Sequence, residues 1–173
     1  YFDCFAGASG NMILGALLDL GVKREVLEDG IAGLGLPGVA LMIEKVGRSG
    51  IGSTHVEVNF PNQKHHRHLS DILEIVENGR LSASVKERAG SIFRRLAEAE
   101  AAVHGILVEK VHCHEVGAGD AIVDIVGDCV EIESLIVDRF ECSRLHTGSG
   151  FVEMAHGKYP VPPPAVAKLV EGF

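Results

Sequence analysis

The 173-residue sequence contains no tryptophan, only two tyrosines and no long apolar run. Because no stretch approaches about 18 uncharged apolar residues, we expect no segment to span a membrane. Basic side chains are few, 16 against 24 acidic ones, and the net charge of −8 excludes the basic field that nucleic acids or anionic membranes require. Four cysteines without C-x-x-C spacing predict reduced thiols and a cytoplasmic protein rather than a disulfide framework.

Two residue types are abundant instead, with 21 glycines and nine histidines. Excess histidine favours metal or proton chemistry, and excess glycine favours tight turns or close approach of the backbone to ligands. The length suits one domain spanning residues 1–173. Strand-like and helix-like segments interleave without a strict repeat. This predicts an α/β or α+β fold with a mixed sheet, helices packed against it, and a short N-terminal strand, glycine loop and helix.

The predicted elements follow hydrophobic spacing and end signals. Ser70 and Ser84 are each expected to cap the start of a helix. Gly21 is expected to end the first predicted helix, and Gly105 the helix that Ser84 begins. Strands are predicted at 1–5, 39–45, 53–60, 108–115, 139–146 and 150–154, and the strands at 39–45 and 53–60 are expected to form a hairpin joined by 47–52. Helices are predicted at 12–20, 23–32, 70–79, 84–104 and 120–136, with another starting at 165.

The first candidate metal site is the segment His112-Cys113-His114. Residues two apart in a strand face the same side, so both imidazoles are predicted to point to one place as first-row metal ligands. Asp120 follows at the start of the next predicted helix, where it is a candidate oxygen ligand or imidazole partner. A structural histidine pair beside a solvated helix face is the alternative.

Negative charge is concentrated around this segment. Residues 115–141 contain eight acidic side chains and one basic one, so this stretch supplies −7 of the net charge. Asp120, Asp124 and Asp128 follow one another at helical spacing and line one side of the predicted helix. Such a concentration attracts cations and repels phosphates.

A second histidine cluster comprises His65, His66 and His68. Three imidazoles in four residues are able to capture or relay a divalent metal ion. A surface loop without a ligand is the equally weighted alternative.

The loop Gly7-Ala8-Ser9-Gly10-Asn11 lies between a predicted strand and a predicted helix. Backbone amides at a helix N-terminus bind anions, and glycine lets a phosphate approach. Gly7, Ser9, Gly10 and Asn11 are therefore candidate substrate-binding residues, joined by His156, which small residues flank. The loop matches neither a P-loop nor a dinucleotide fingerprint, so a plain tight turn remains the alternative.

Several of these motifs occur together in one known family. In chain order they are 3–12 (DCFAGASGNM), 66–72 (HRHLSDI), 111–118 (VHCHEVGA) with Asp120, 122–127 (IVDIVG), 148–151 (GSGF), and His156-Gly157 with Pro160-Val161-Pro162. In this order and over essentially the whole chain, they closely resemble the N-terminal part of the nickel insertion protein family, LarC. Two departures are Asn11, where the family usually has Asp, and Cys113, where Phe is common.

The resemblance implies a CTP-dependent nickel chelatase, or cyclometallase, of the lyase class. Such an enzyme inserts Ni²⁺ into pyridinium-3,5-bisthiocarboxylic acid mononucleotide, making two nickel–sulfur bonds and one nickel–carbon bond. It implies that residues 1–173 are the N-terminal domain of a longer protein, whose CTP site with Mn²⁺ or Mg²⁺ lies in a C-terminal region beyond them. The implied role of this part is to bind nickel, the substrate or both, and the isolated part is expected to be inactive.

The resemblance also implies partners. They are the pyridinium mononucleotide, lactate racemase apoprotein and the sulfur-inserting enzyme of the pathway. Assembly into a homo-oligomer is left open. Two other functions are compatible with the residues. One is a nickel storage or delivery module without catalysis of its own. The other is a metal-dependent hydrolase that uses His112, His114 and Asp120 around a water-bearing ion.

Overall fold

The computed structural model of the protein describes residues 1–60, 67–113, 119–154 and 157–172, with His112 and Cys113 described by their backbone alone. Helices and strands are interspersed along the chain. In order they are α1 Gly10–Leu20, α2 Arg24–Gly33, β1 Ala40–Arg48, β2 Ile51–Asn59, β3 Arg67–His68, α3 Leu69–Asn78, α4 Ala83–His104, β4 His112–Cys113, α5 Gly119–Ser134, β5 Phe151–Met154, β6 Gly157–Pro160 and α6 Pro164–Leu169. Within these ranges no helix is long and apolar enough to cross a bilayer.

The predicted mixed α/β class is confirmed. The strands differ from the single mixed sheet expected, because in the described ranges they form three separate two-stranded antiparallel sheets. Strand β1 pairs with β2, β3 with β4, and β5 with β6. Only β1 and β2 are long, and α1 packs across β2. Most of the buried hydrophobic residues of the described ranges lie in helices.

Helix α5 lies at the centre of the core and packs against α1, α2, α4 and β2. Its Ile122, Val123 and Val126 are fully buried. A side chain on Gly127 would lie 2.9 Å from both Leu14 of α1 and Leu27 of α2. The helices can approach this closely because position 127 carries no side chain.

Two predicted helix starts were wrong, whereas two predicted helix ends are confirmed. Ser82 caps α4 by accepting a hydrogen bond from the Val85 amide at 3.1 Å, so Ser84 is not the cap. His68, not Ser70, is the N-cap of α3. Gly21 and Gly105 end α1 and α4 in the left-handed conformation, which glycine adopts without steric cost.

The strand predicted at 108–115 was wrong over its first half. Val108–Lys110 form a 3₁₀ turn, closed by the Val111 amide donating to the Val108 carbonyl at 3.1 Å. Within the described part of this segment, 108–113, only β4 is assigned as strand, and 114–118 lie outside the described residues. Short apolar runs do not distinguish a turn from a strand by spacing alone.

The strands predicted at 1–5 and 139–146 are not regular strands. The two segments meet in a parallel alignment around a single bridge between Phe2 and Cys142. The Phe2 amide donates to the Glu141 carbonyl, and the Ser143 amide donates to the Phe2 carbonyl, both at 2.8 Å. Extended character was predicted correctly, but the extent of pairing was overestimated.

Candidate functional site

Four chain segments meet where α5 begins. The Phe60 ring, at the end of β2, lies so close to Gly119 that a side chain at 119 would come within 2.5 Å of it. The guanidinium carbon of Arg67 lies 5.6 Å from the centroid of the same ring. Arg67 in turn pairs with Cys113 across β3 and β4. The residues that flank 61–66 and 114–118 are therefore all held in one place.

The two histidine clusters of the sequence are joined by the β3–β4 pair. His68 and His112 are directly opposed partners in this antiparallel ladder. His68 is half-buried, and its amide donates to a carboxylate oxygen of Asp71 at 2.8 Å. The sequence shows the two histidine clusters only as separate motifs. It does not predict that residues 44 positions apart pair with each other.

The other candidate histidines remain predictions. His65, His66, His114 and His156 lie outside the described residues. In the part of the chain that the structure describes, no group of three or more His, Cys, Asp or Glu side chains is arranged to hold a metal ion.

The acidic face of α5 is more buried than its composition indicates. Asp124, Asp128 and Glu131 follow at helical spacing on one side of the helix, and Glu131 is fully buried. One oxygen of each aspartate and both oxygens of Glu131 are buried without a hydrogen-bond partner among the described residues. We call Asp120, Asp124, Asp128 and Glu131 the acidic row. Glu131 was missed as a candidate, although its spacing from Asp128 was visible in the sequence.

Burial changes the ionisation of this row. Loss of solvent raises the pKa of Asp124 to about 6, with a contribution from Asp120. It raises the pKa of Asp128 to about 8, helped by Asp124 and Glu131, and that of Glu131 also to about 8. At neutral pH the two innermost carboxyls are therefore largely protonated. The negative charge counted from the sequence is concentrated at the outer end of the row.

The glycine loop rests directly on the acidic row. A side chain at Gly10, the first residue of α1, would lie 2.5 Å from Cβ of Asp124. The preceding turn needs glycine at position 7, where φ is +87° and the His146 carbonyl oxygen leaves only 3.2 Å for a side chain. The predicted phosphate loop and the predicted cation face thus lie in contact.

The start of α1 has the features of an open helix end. Within the described residues the Ser9 side chain accepts no hydrogen bond from the first turn, which also contains no acidic residue. The Ser9 hydroxyl instead donates to the amide oxygen of Asn11 at 2.5 Å. The first-turn amides of a helix have no partner within the helix and attract anions.

The histidine-bearing β3–β4 pair thus lies near the start of α5, and the first residue of α1 contacts Asp124 of the same helix. Imidazole and carboxylate are ligand types that divalent metal ions accept. Comparison with known proteins identifies the family. The family model described as nickel insertion protein matches residues 1–173, and the chain belongs to that family.

Curated relatives cover the whole chain. A protein of Geobacter sp. (strain M21), named "Putative nickel insertion protein", is 51% identical over 174 residues, which are 100% of this chain and 45% of the relative. The pyridinium-3,5-bisthiocarboxylic acid mononucleotide nickel insertion protein of Desulfitobacterium hafniense (strain DSM 10664 / DCB-2) is 46% identical over 172 residues, 99% of this chain and 43% of the relative. The chain thus spans less than half the length of these relatives. No solved structure matches it.

Proposed function

We propose that this chain is the nickel- and substrate-binding part of an enzyme that inserts nickel into pyridinium-3,5-bisthiocarboxylic acid mononucleotide. The family and the printed name of the Desulfitobacterium relative support the reaction. The observation that carries the role of this part is the opposition of His68 and His112 in the β3–β4 pair. Arg67 of this pair lies over the Phe60 ring, which packs against Gly119 at the start of α5. Nickel is the cargo of the reaction rather than a resident cofactor.

The histidines are proposed to receive Ni²⁺. Because residues 68 and 112 are directly opposed in the antiparallel pair, we propose both histidines as ligands of one ion. His66 directly precedes β3 in the sequence and His114 directly follows β4, so both are proposed as further ligands. His65 is one residue further. Imidazole is a suitable ligand for nickel, and Asp120 supplies a carboxylate at the same end of α5.

The glycine loop is proposed to hold the phosphate of the mononucleotide. The amides that follow Ser9 and Gly10 at the open end of α1 supply donors, Gly7 lets the backbone approach the anion, and Asn11 adds an amide group. Asp124 lies against this end, yet protonating a carboxyl whose pKa is about 6 costs only about 1.4 kcal/mol at pH 7. His156 is proposed as a further substrate contact. Phosphate and metal would then bind at adjacent positions.

The remaining features follow the resemblance. CTP, with Mn²⁺ or Mg²⁺, is proposed to bind in the part of the protein that corresponds to the rest of the relatives' length. The complete protein is proposed to act as a cytoplasmic lyase that supplies lactate racemase and takes its substrate from a sulfur-inserting enzyme. Residues 1–173 alone, as one N-terminal domain, are expected to bind without catalysing insertion.

A nickel storage or delivery module without catalysis is the second candidate. It accounts for the histidines equally well. It does not account for an open helix end that lies against a carboxyl with a raised pKa, because a metal carrier needs no anion site.

The test uses the complete protein and the double variant His112→Ala/His114→Ala. We expect loss of nickel insertion and at least a tenfold weaker affinity for Ni²⁺ by isothermal titration. The matched control is His55→Ala/His104→Ala, which removes two histidines from β2 and α4 and should change neither. Normal insertion by the first variant would contradict the assignment. In a second variant, Ser9→Ala/Asn11→Ala, weaker binding of the mononucleotide supports the enzyme, and unchanged binding supports the carrier.

A further inference from the structure

The two extended segments at 1–5 and 141–146 form a parallel pair, which we call the terminal ladder. Besides the two backbone bonds of Phe2, the Cys4 amide donates to the Ser143 hydroxyl at 2.7 Å, and the His146 amide donates to the Cys4 carbonyl at 3.4 Å. The two segments are thus held in register over several residues.

Large apolar side chains on and beside this ladder face solvent. Tyr1 is 79% exposed, Phe5 77% and Ile136 fully exposed, and about half of Phe140 and of Leu145 is exposed. Every residue from 136 to 150 is exposed except Ser143, which is half-buried. Such a run of exposed apolar groups around one backbone pair is unusual for a monomer surface and marks a contact region.

The backbone of the ladder is also incomplete. Successive residues of a strand direct their amide and carbonyl groups to opposite edges. Since both groups of Phe2 bind the 141–146 segment, those of Asp3 point to the other edge. In the described ranges no strand pairs with that edge or with the outer edge of 141–146. All-parallel sheets occur almost only where both faces are covered, so an exposed pair of extended segments joined by one parallel bridge favours further neighbours that complete the pairing.

We propose that the terminal ladder is the seed of a larger sheet, completed by the polypeptide that corresponds to the rest of the relatives' length. The chain aligns over its full length with relatives of which it covers only 45%. More than half of such a protein is therefore available to add strands beside the ladder and to cover Phe5 and Phe140. The surface is thus an intramolecular interface between this part and the remainder of the protein.

The test is photo-crosslinking in the complete protein. p-Benzoylphenylalanine replaces Phe140 or Phe5, both aromatic positions, and in the control it replaces Ile51, which is 72% exposed at the tip of the β1–β2 hairpin. We expect positions 140 and 5 to crosslink within one polypeptide to residues beyond 173, with a yield at least about fivefold above position 51. Crosslinks between two polypeptides would show that a second copy covers the ladder and would overturn the proposal.

Hydrogen exchange on the same protein gives a second, variant-free measurement. Amides of 141–146 should exchange at least about a hundredfold more slowly than in an unstructured peptide, as expected for interior strands. Unprotected amides together with a lack of crosslinks would also overturn the proposal. Neither measurement involves nickel or the mononucleotide, so the result is independent of the proposed function.

Discussion

The free energy of unfolding of the protein should fall as the pH rises, and replacing Glu131 with glutamine should reduce this fall. The side chain is fully buried on α5, and neither oxygen has a hydrogen-bond partner among the described residues. Burial raises the pKa of Glu131 from 4.5 to about 8. The folded protein therefore keeps this proton between those pH values, whereas the unfolded chain releases it.

The size of the effect follows from this difference in proton binding. The unfolded state binds fewer protons between pH 4.5 and pH 8, so the free energy of unfolding falls as the pH rises through this window. For these two pKa values the fall from pH 5 to pH 8 is about 3.5 kcal/mol, an upper value because the site can relax or admit water. Glutamine does not titrate, so the variant should lose this part of the pH dependence. It should keep most of the part due to Asp128, because burial is the largest cause of that raised pKa and Glu131 only a smaller one.

The assay is urea unfolding of wild type and Glu131→Gln at pH 5, 6, 7 and 8. Glu87→Gln, on the exposed face of α4, is the matched control and should preserve the wild-type slope. A buried amide carries its own penalty at every pH, so the slope with pH is the informative quantity rather than the absolute stability. Equal slopes in wild type and Glu131→Gln would refute the reasoning.

Three further changes test the fold around the site. Gly10→Ala should lower the free energy of unfolding by about 2 kcal/mol, since its Cβ overlaps α5, whereas Gly52→Ala, with open space around it, should stay within about 0.5 kcal/mol; comparable effects in urea unfolding would contradict the contact. Ser82→Ala should cost about 1 kcal/mol through loss of the α4 cap, and Ser84→Ala less than half of that, with the reverse order speaking against the observed cap. Lys45 and Thr54 lower the pKa of Asp19 from 3.8 to about 2, so Asp19→Asn should remove stability present above pH 4 and lost towards pH 2. Because Asp19 is about one-third exposed, we expect less than about 1 kcal/mol, and a larger loss at pH 2 than at pH 7 would rule this out.

Helix ends and the hairpin were predictable because their signals are local. Gly21 and Gly105 end helices where the spacing predicted, and the β1–β2 hairpin closes close to the expected residues. Helix starts were less accurate, because Ser82 and Ser84 both suit a cap and only the surrounding packing selects Ser82. The turn at Val108–Lys110 interrupts an apolar run that a strand would equally explain.

The candidate site was predictable as a set of residue types but not as an arrangement. Histidines, acidic residues and the glycine loop are visible in the sequence. The opposition of His68 to His112 and the contact of Gly10 with Asp124 depend on long-range pairing. The protonated state of the inner acidic row could not be predicted, because each carboxyl counts as a full charge until its burial is known. His65, His66, His114 and His156 remain predictions.

The terminal ladder also has a consequence for how the protein is made. The Cys4–Ser143 hydrogen bond joins residues 139 positions apart, so the first segment cannot pair with 141–146 until those residues have left the ribosome. At synthesis rates of about 5–20 residues per second, this delay is about 7–28 s. During that interval Phe2 and Phe5 protrude from the nascent chain without a strand to pair with.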